Sequence, residues 1–513
     1  MFKSHPKGLV AAALSNMGER FGYYIMNAVL LLFLVSKFGL SDSTAGIIYS
    51  VFYCAIYVLS LVGGIIADRT QNYKATIQTG LIIMALGYVL LAIPITATAT
   101  NQIWLLPFTC VALAFIAFGN GLFKGNLQDI VGQMYDNFEE EAAKKGPEEL
   151  KMAKTKRDSG FQIFYVFINV GGLIAPFVAP LLREWWLKTN GFIYNAKLPE
   201  LCHKVIDGTI GDRMADFQTL SQEVTLSGTF TPEAYLEVFN QGVHYSFFAS
   251  VAAMVISLII FLANKKIFPN PAKKSDKVVE NYTAEEKVMM AKEIKQRMYA
   301  LFAVLGIAVF FWFAFHQNGQ SLSLFARDFV KTDSIAPEIW QAVNPFFVIV
   351  LTPIIMWIFG ALAKRGKEIS TPRKIAIGMF IAGLAYLFLM ILSWVKGYPS
   401  GNEFRSMDEA SAVALKSDWW VMFVLYFFLT VAELFISPLG LSFVSKVAPK
   451  NLLGLCQGLW LGATALGNLL IWLGPVMYNA WPIWACWAVF LGVCLLSMLI
   501  MLFMVNWLEK VTK

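Results

Sequence analysis

The chain has 513 residues, 57% of them hydrophobic, 15% aromatic and only 15% charged, with a formal net charge of +7. A soluble protein carries about 25% charged residues, so this composition excludes an ordinary soluble domain and indicates an integral membrane protein. The positive charge gathers in particular loops and is no sign of a nucleic-acid partner. Of the six cysteines, only Cys202 falls in a long loop; the other five lie in apolar segments. Neither they nor the four histidines have metal-ligand spacing, so no disulfide framework, metal or cofactor is expected. Residues Met1 to Lys7 run directly into the first apolar segment, as for a retained first helix rather than a cleaved signal peptide.

A membrane-spanning helix needs about 20 predominantly apolar residues. Twelve segments qualify: 8–36, 43–67, 75–96, 103–134, 160–183, 243–264, 298–327, 337–362, 372–395, 419–445, 453–478 and 482–507. The expected fold is all-α, with twelve transmembrane helices. Several segments exceed the minimum and carry breakers (Gly171-Gly172 with Pro176, Pro345, Pro353, Pro438), so tilted or bent helices are predicted. With the N-terminus inside, the cytoplasmic loops hold about 28 Lys and Arg against roughly 10 outside, which puts both termini in the cytoplasm. The basic loop 265–297 divides the spans six and six, into bundles 1–264 and 298–513. Within it, Thr283-Ala284-Glu285-Glu286 opens a capping-box pattern and then helical periodicity, read as a surface helix that links the bundles. Two external loops are large, 184–242 and 396–418; the first is either a small cap or a loosely packed insertion. This six-plus-six layout resembles the major facilitator superfamily, whose substrate site lies near the midplane.

Ionisable residues inside the spans mark the candidate site. Glu19 and Arg20 stand side by side in the first span, where each costs about 2.5–3.5 kcal/mol at the centre of an isolated helix. They indicate a protein-lined, water-accessible path, or else a buried pair that only joins helices. Lys124 lies in span 4, in Phe118-Gly119-Asn120-Gly121-Leu122-Phe123-Lys124-Gly125-Asn126, whose small residues admit another helix or a substrate. His316 in span 7 has a charge transition near physiological pH; a hydrogen-bonded packing role is the other reading. Arg327-Asp328 at the outer end of that span is read as a gate or an interfacial pair. Glu433 in span 10 falls at a depth comparable with Lys124 in the opposite half. A Lys124–Glu433 bridge opened by protonation would make a proton-biased two-state element; a permanent structural bridge is the alternative.

Together these motifs resemble the proton-dependent oligopeptide transporter (POT, also PTR) family of the major facilitator superfamily. Glu19-Arg20-Phe21-Gly22-Tyr23-Tyr24 is similar to the family's ExxERFxYY. Gly64 to Arg69, ending in Asp68-Arg69, resembles the superfamily's GxxxDR hinge loop. Phe164-Tyr165-Val166-Phe167-Ile168-Asn169-Val170-Gly171 is similar to FYxxINxG, and Asn344-Pro345 and Glu433 to Ser442 also fit. Order and spacing carry the resemblance across nearly the whole chain apart from the two large external loops. It implies that Arg20 and Lys124 meet a peptide carboxylate or neighbouring acids. It places Asn169, Asn344 and Glu433 at the peptide amino end and backbone, and Ser437 among the substrate-binding residues. Tyr23, Tyr24 and Tyr57 would line the cavity, Trp312 and Trp460 would shape side-chain pockets, and Asp68 and Arg69 would form the hinge. Aromatic walls accept varied side chains because they demand little geometry.

The sequence departs from the family pattern at Asn16 (Glu in the motif), Asn27 (Arg), His316 (Glu) and Gly125 (Pro). Glu19, His316 and Glu433 are left as proton carriers. The expected function is proton-coupled uptake of di- and tripeptides by alternating access across the inner membrane. The alternatives are a transporter of another small amphiphilic solute, an uncoupled peptide facilitator, or a peptide sensor that does not transport. No covalent chemistry is expected.

Overall fold

Long apolar segments become helices almost without exception in the computed structural model, which describes residues 5–269, 284–331, 335–367, 369–447 and 453–512; some helical residues in these ranges are described by backbone alone. Among the described residues, eleven helices are long and apolar enough to cross a membrane, and the shorter apolar stretch Trp420–Ile436 adds to them. The chain divides into two compact units, Met1–Ser275 and Asp276–Lys513.

The first unit holds α1 (Leu9–Phe38), α2 (Asp42–Thr70), α3 (Tyr73–Ala92), α4 (Gln102–Ala143), α5 (Pro147–Thr189), α6 (Leu198–Ile206), α7 (Met214–Glu223) and α8 (Pro232–Asn264). Side-chain oxygens of Ser41, Asn72 and Thr231 cap α2, α3 and α8, each accepting from the amide three residues on. Helix α1 is the most buried of the spans. It lies against α8 through small residues: Ser15 Oγ is 3.0 Å from Ser257 Oγ, Ser257 donates to the Ser15 carbonyl at 2.6 Å, and Ser250 to the Gly22 carbonyl at 2.9 Å. In a bilayer, where lipid is as apolar as leucine, such close contacts and hydrogen bonds hold helices together. Helix α4 is clasped in the same way. A Cβ on Gly80 of α3 would lie 2.6 Å from the Gly119 carbonyl oxygen, and Asn126 Nδ2 donates to the Gly63 carbonyl of α2 at 3.1 Å.

The insertion 184–242 forms an ordered, helical cap. Span 5 continues to Thr189, span 6 already begins at Pro232, and α6 and α7 fill the interval. Leu198, Leu201, Cys202, Phe217, Leu220 and Val224 are buried. His203 Nε2 donates to the Ser36 carbonyl at 2.7 Å and so ties the cap to α1.

The second unit holds α9 (Ala284–Phe315), α10 (Ser321–Phe329), α11 (Val343–Lys364), α12 (Thr371–Lys396), α13 (Gly401–Ser406), α14 (Glu409–Leu415), α15 (Trp420–Val447), α16 (Leu453–Leu470), α17 (Leu473–Ala480) and α18 (Ile483–Thr512). Helix α9 is unbroken from Ala284 to Phe315, so the expected linker helix is the first part of span 7 rather than a separate element. Thr283 and the rest of 270–283 lie outside the described residues. Span 7 is then interrupted: His316–Gly319 is a 3-10 turn, and Gln320 leaves helical geometry at φ −128°, ψ −98°. Span 11 breaks too, between Leu470 and Leu473. The two breaks meet, and Gln317 Nε2 donates to the Ile471 carbonyl at 3.1 Å. A neighbour that supplies the lost hydrogen bond is what makes a broken helix tolerable at membrane depth.

Candidate functional site

The site residues fall into two groups, one in each unit. In the first unit the glycine-mediated contacts of α4 fix its rotation and turn Asn120 and Lys124 toward α1 and α2. Arg20 holds Glu19 with two prongs, Nε to Oε2 at 2.5 Å and Nη2 to Oε1 at 2.6 Å, and Asn120 Nδ2 adds a third donor to Oε1 at 2.6 Å. Glu19 is fully buried and Arg20 nearly so. A buried charge pair is tolerated when its members hold one another closely and further donors join them, as the two Arg20 prongs and the Asn120 amide do on Glu19. The Arg20 guanidinium also lies over the Tyr23 ring, 4.7 Å from its centroid, and 6.0 Å from that of Tyr24.

Lys124 differs from Arg20. Its ammonium sits 4.6 Å from the Tyr57 ring centroid, within electrostatic reach of both Arg20 and Glu19. No ion pair to it occurs among the described residues. Tyr57 belongs to an edge-to-face ladder on α2, with Tyr53 at 5.9 Å and Tyr49 a further 5.7 Å on. Tyr49 and Tyr23 both donate to Asn27 Oδ1, at 3.0 and 3.2 Å. Asn27 thus orders two phenols. Asn16 is buried in α1. Asn169 of α5 donates to the Tyr165 carbonyl one turn back, at 3.0 Å, leaving its amide oxygen uncommitted to that contact.

In the second unit, Asn344 near the start of α11 donates to Glu433 Oε2 at 2.8 Å and to Thr430 Oγ1 at 3.0 Å, which joins α11 to α15. No cation is paired with Glu433 among the described residues. The Ser437 side chain lies outside the described residues. His316, on the 3-10 turn of span 7, stacks on Trp312 with ring centroids 4.8 Å apart and is hydrogen-bonded through Nδ1 to Asn468 Oδ1 of α16. Trp312 and Trp460 are both buried. Arg327 and Asp328 form neither a surface pair nor an isolated bridge. Asp328 is fully buried, and Arg405 Nη1 at 3.2 Å and Tyr478 OH at 3.0 Å join Arg327 upon it, so that α10, α13 and α17 share one carboxylate.

At the α2–α3 turn Asp68 accepts from the Tyr73 hydroxyl and Gln71 takes the left-handed conformation, at φ 53°. Arg69 points outward as an exposed side chain. Sequence reading missed Asn120, Asn27's double acceptance, Gln317 and Asn468. The available signals were an amide flanked by two close-packing glycines, and Gly319 and Gly474-Pro475 as paired helix breakers.

Two units of apolar helices, with charges held inside them, define a multi-pass membrane protein. Matches to known proteins carry this further. The sequence profile described as the POT family matches residues 74–290 and 277–481, and the chain belongs to that family. It is 29% identical over 490 residues to the peptide transporter YePEPT of Yersinia enterocolitica subsp. palearctica, covering 91% of this chain and 87% of the other. It is also 29% identical over 452 residues to dipeptide and tripeptide permease B of Shigella dysenteriae, covering 86% and 81%. A crystal structure of the peptide transporter POT in complex with sulfate has a TM-score of 0.70 at 22% identity, over 100% of this chain and 96% of that one. A POT family transporter in complex with 5-aminolevulinic acid gives 0.69 at 20% identity, over 100% and 98%. The structural likeness shows that this chain shares the fold of these transporters.

Proposed function

We propose that this protein carries di- and tripeptides inward across the inner membrane by alternating access, coupled to protons, with both termini in the cytoplasm. The observation that carries the reading is the contrast between Arg20 and Lys124 in the first unit. Arg20 is spent on Glu19, whereas Lys124 has an aromatic face and no carboxylate bound to it among the described residues. Lys124 takes the peptide carboxylate. Glu433, with Asn344 and Asn169, takes the amino end, and Tyr23, Tyr24, Tyr57, Trp312 and Trp460 accept the side chains.

Glu433 is the proton carrier in this account. Glu19 already accepts three hydrogen bonds, and His316 is committed to Asn468 and Trp312. Glu433 is held by a single amide, so it can take up a proton without breaking an ion pair within its unit. Competition with labelled dialanine tests the carboxylate assignment. Unlabelled dialanine competes better than its carboxamide on the wild type, and Lys124→Gln removes that preference. Equal loss of both ligands in Lys124→Gln, or no preference in the wild type, contradicts the assignment.

A further inference from the structure

At the end of α1 remote from Glu19, another buried cation has no role in the account above. Lys37 is 4% exposed and His244 2%. Lys37 Nζ lies 2.7 Å from His244 Nε2, and His244 Nδ1 lies 2.8 Å from the Leu91 carbonyl oxygen of α3. A carbonyl only accepts, so Nδ1 carries hydrogen and donates to it. One further proton is then shared between Nε2 and Nζ, and the pair carries one positive charge whichever atom holds it. Lys37 also faces the rings of Phe33 and Phe38, 5.3 and 5.6 Å from their centroids. No carboxylate is paired with Lys37 among the described residues.

Burying a charge without a counter-charge is costly, and such groups are ordinarily paired. A cavity of about 20 Å³ lies against this pair, bordered by Pro94, Thr96, His203, Asn240 and Gln241. About 10–15 Å³ suffices for one water molecule, so this space takes a single small ion or water. The surrounding amides are already engaged: Asn240 Nδ2 with the Ser36 and Leu236 carbonyls, and Gln241 Nε2 with Glu237. Lys37 has three donors, of which His244 uses one. Among the described residues the one acid that borders the cavity, Glu237, is exposed and held by Gln241 at 3.1 Å on its own helix.

We propose that the Lys37–His244 pair binds a small monovalent anion of chloride size, which supplies the missing counter-charge where α1, α3, α8 and the cap meet. A ligand that binds the folded state alone raises its stability. The unfolding midpoint of the purified full-length protein is compared in sodium chloride and in sodium gluconate at equal ionic strength, gluconate being too large for the cavity. The midpoint is higher in chloride for the wild type and for Glu237→Gln, and the difference disappears in Lys37→Met. Crystals soaked in bromide show an anomalous peak beside Lys37 Nζ in the wild type, which decides the matter even if Lys37→Met does not fold. A wild type indifferent to chloride overturns the proposal, as does a bromide-soaked crystal without that peak. If Glu237 is the counter-charge instead, only Glu237→Gln responds to chloride, and that pattern overturns it too.

Discussion

Asn120 donates to the same Glu19 oxygen that Arg20 Nη2 already holds, each at 2.6 Å, although Asn120 stands on α4 and Glu19 on α1. The ion pair is therefore a junction between helices as well as a local contact. Glu19→Gln keeps the shape but leaves the Arg20 charge buried without its partner. Removing one member of a buried pair costs about 3–5 kcal/mol. The unfolding midpoint of Glu19→Gln should fall well below the wild type's, whereas Glu433→Gln, which removes no ion pair within its unit, should stay close to it. Equal stability of Glu19→Gln and wild type contradicts the junction.

The α3–α4 contact makes a steric prediction. A methyl group on Gly80 would press on the Gly119 carbonyl oxygen, and overpacking of this sort costs about 1–3 kcal/mol. Gly80→Ala should unfold at lower temperature, while Gly64→Ala, with no atom within 4 Å of the added carbon, should not. The two variants are compared by thermal unfolding in the same detergent.

Cys202 reports on the cap. Its thiol is fully buried, and burial first, then the nearby Glu233 carboxylate, pushes it well above the usual thiol range. Only the thiolate alkylates readily, so a raised thiol stays unreactive where an ordinary one gains reactivity. Alkylation of Cys202, followed by mass spectrometry, should remain slow from pH 7 to pH 9 in the folded protein. His203→Ala, which releases the tie to the Ser36 carbonyl, should make it faster. Rapid, pH-dependent labelling in the wild type would show that the cap is not packed as described.

The carboxylate of Asp328 makes the corresponding prediction for the second unit. Arg327, Arg405 and Tyr478 converge on it, and Arg405 also bonds Asn402 and Asn479, each at 2.9 Å. Asp328→Asn should free the segment that carries α13 and α14, seen as faster proteolysis between residues 401 and 415. An unchanged digestion pattern contradicts this role.

The spans could be read because apolar length is a strong signal, and Glu19, Arg20, Lys124 and Glu433 stood out because charge in such segments is costly. The polar run His316-Gln317-Asn318-Gly319-Gln320 marks the break in span 7, but nothing in it shows that the facing break at Leu470–Leu473 supplies the hydrogen bond that permits it. The ordering of 184–242 was equally hidden: its apolar residues are spaced among charges, and burial against α1 and α8 decides their placement. The partner of Glu19 in α4 could not be read, since nothing in the run around Asn120 says which helix its amide faces.

The central claim is coupled peptide entry, and uptake of labelled dialanine into liposomes containing the purified protein tests it most directly. With an inward proton gradient the wild type should accumulate peptide above equilibrium. With the gradient collapsed, entry should only equilibrate. Glu433→Gln should lose accumulation under the gradient. Accumulation that survives in Glu433→Gln, or no gradient-dependent accumulation by the wild type, contradicts the account.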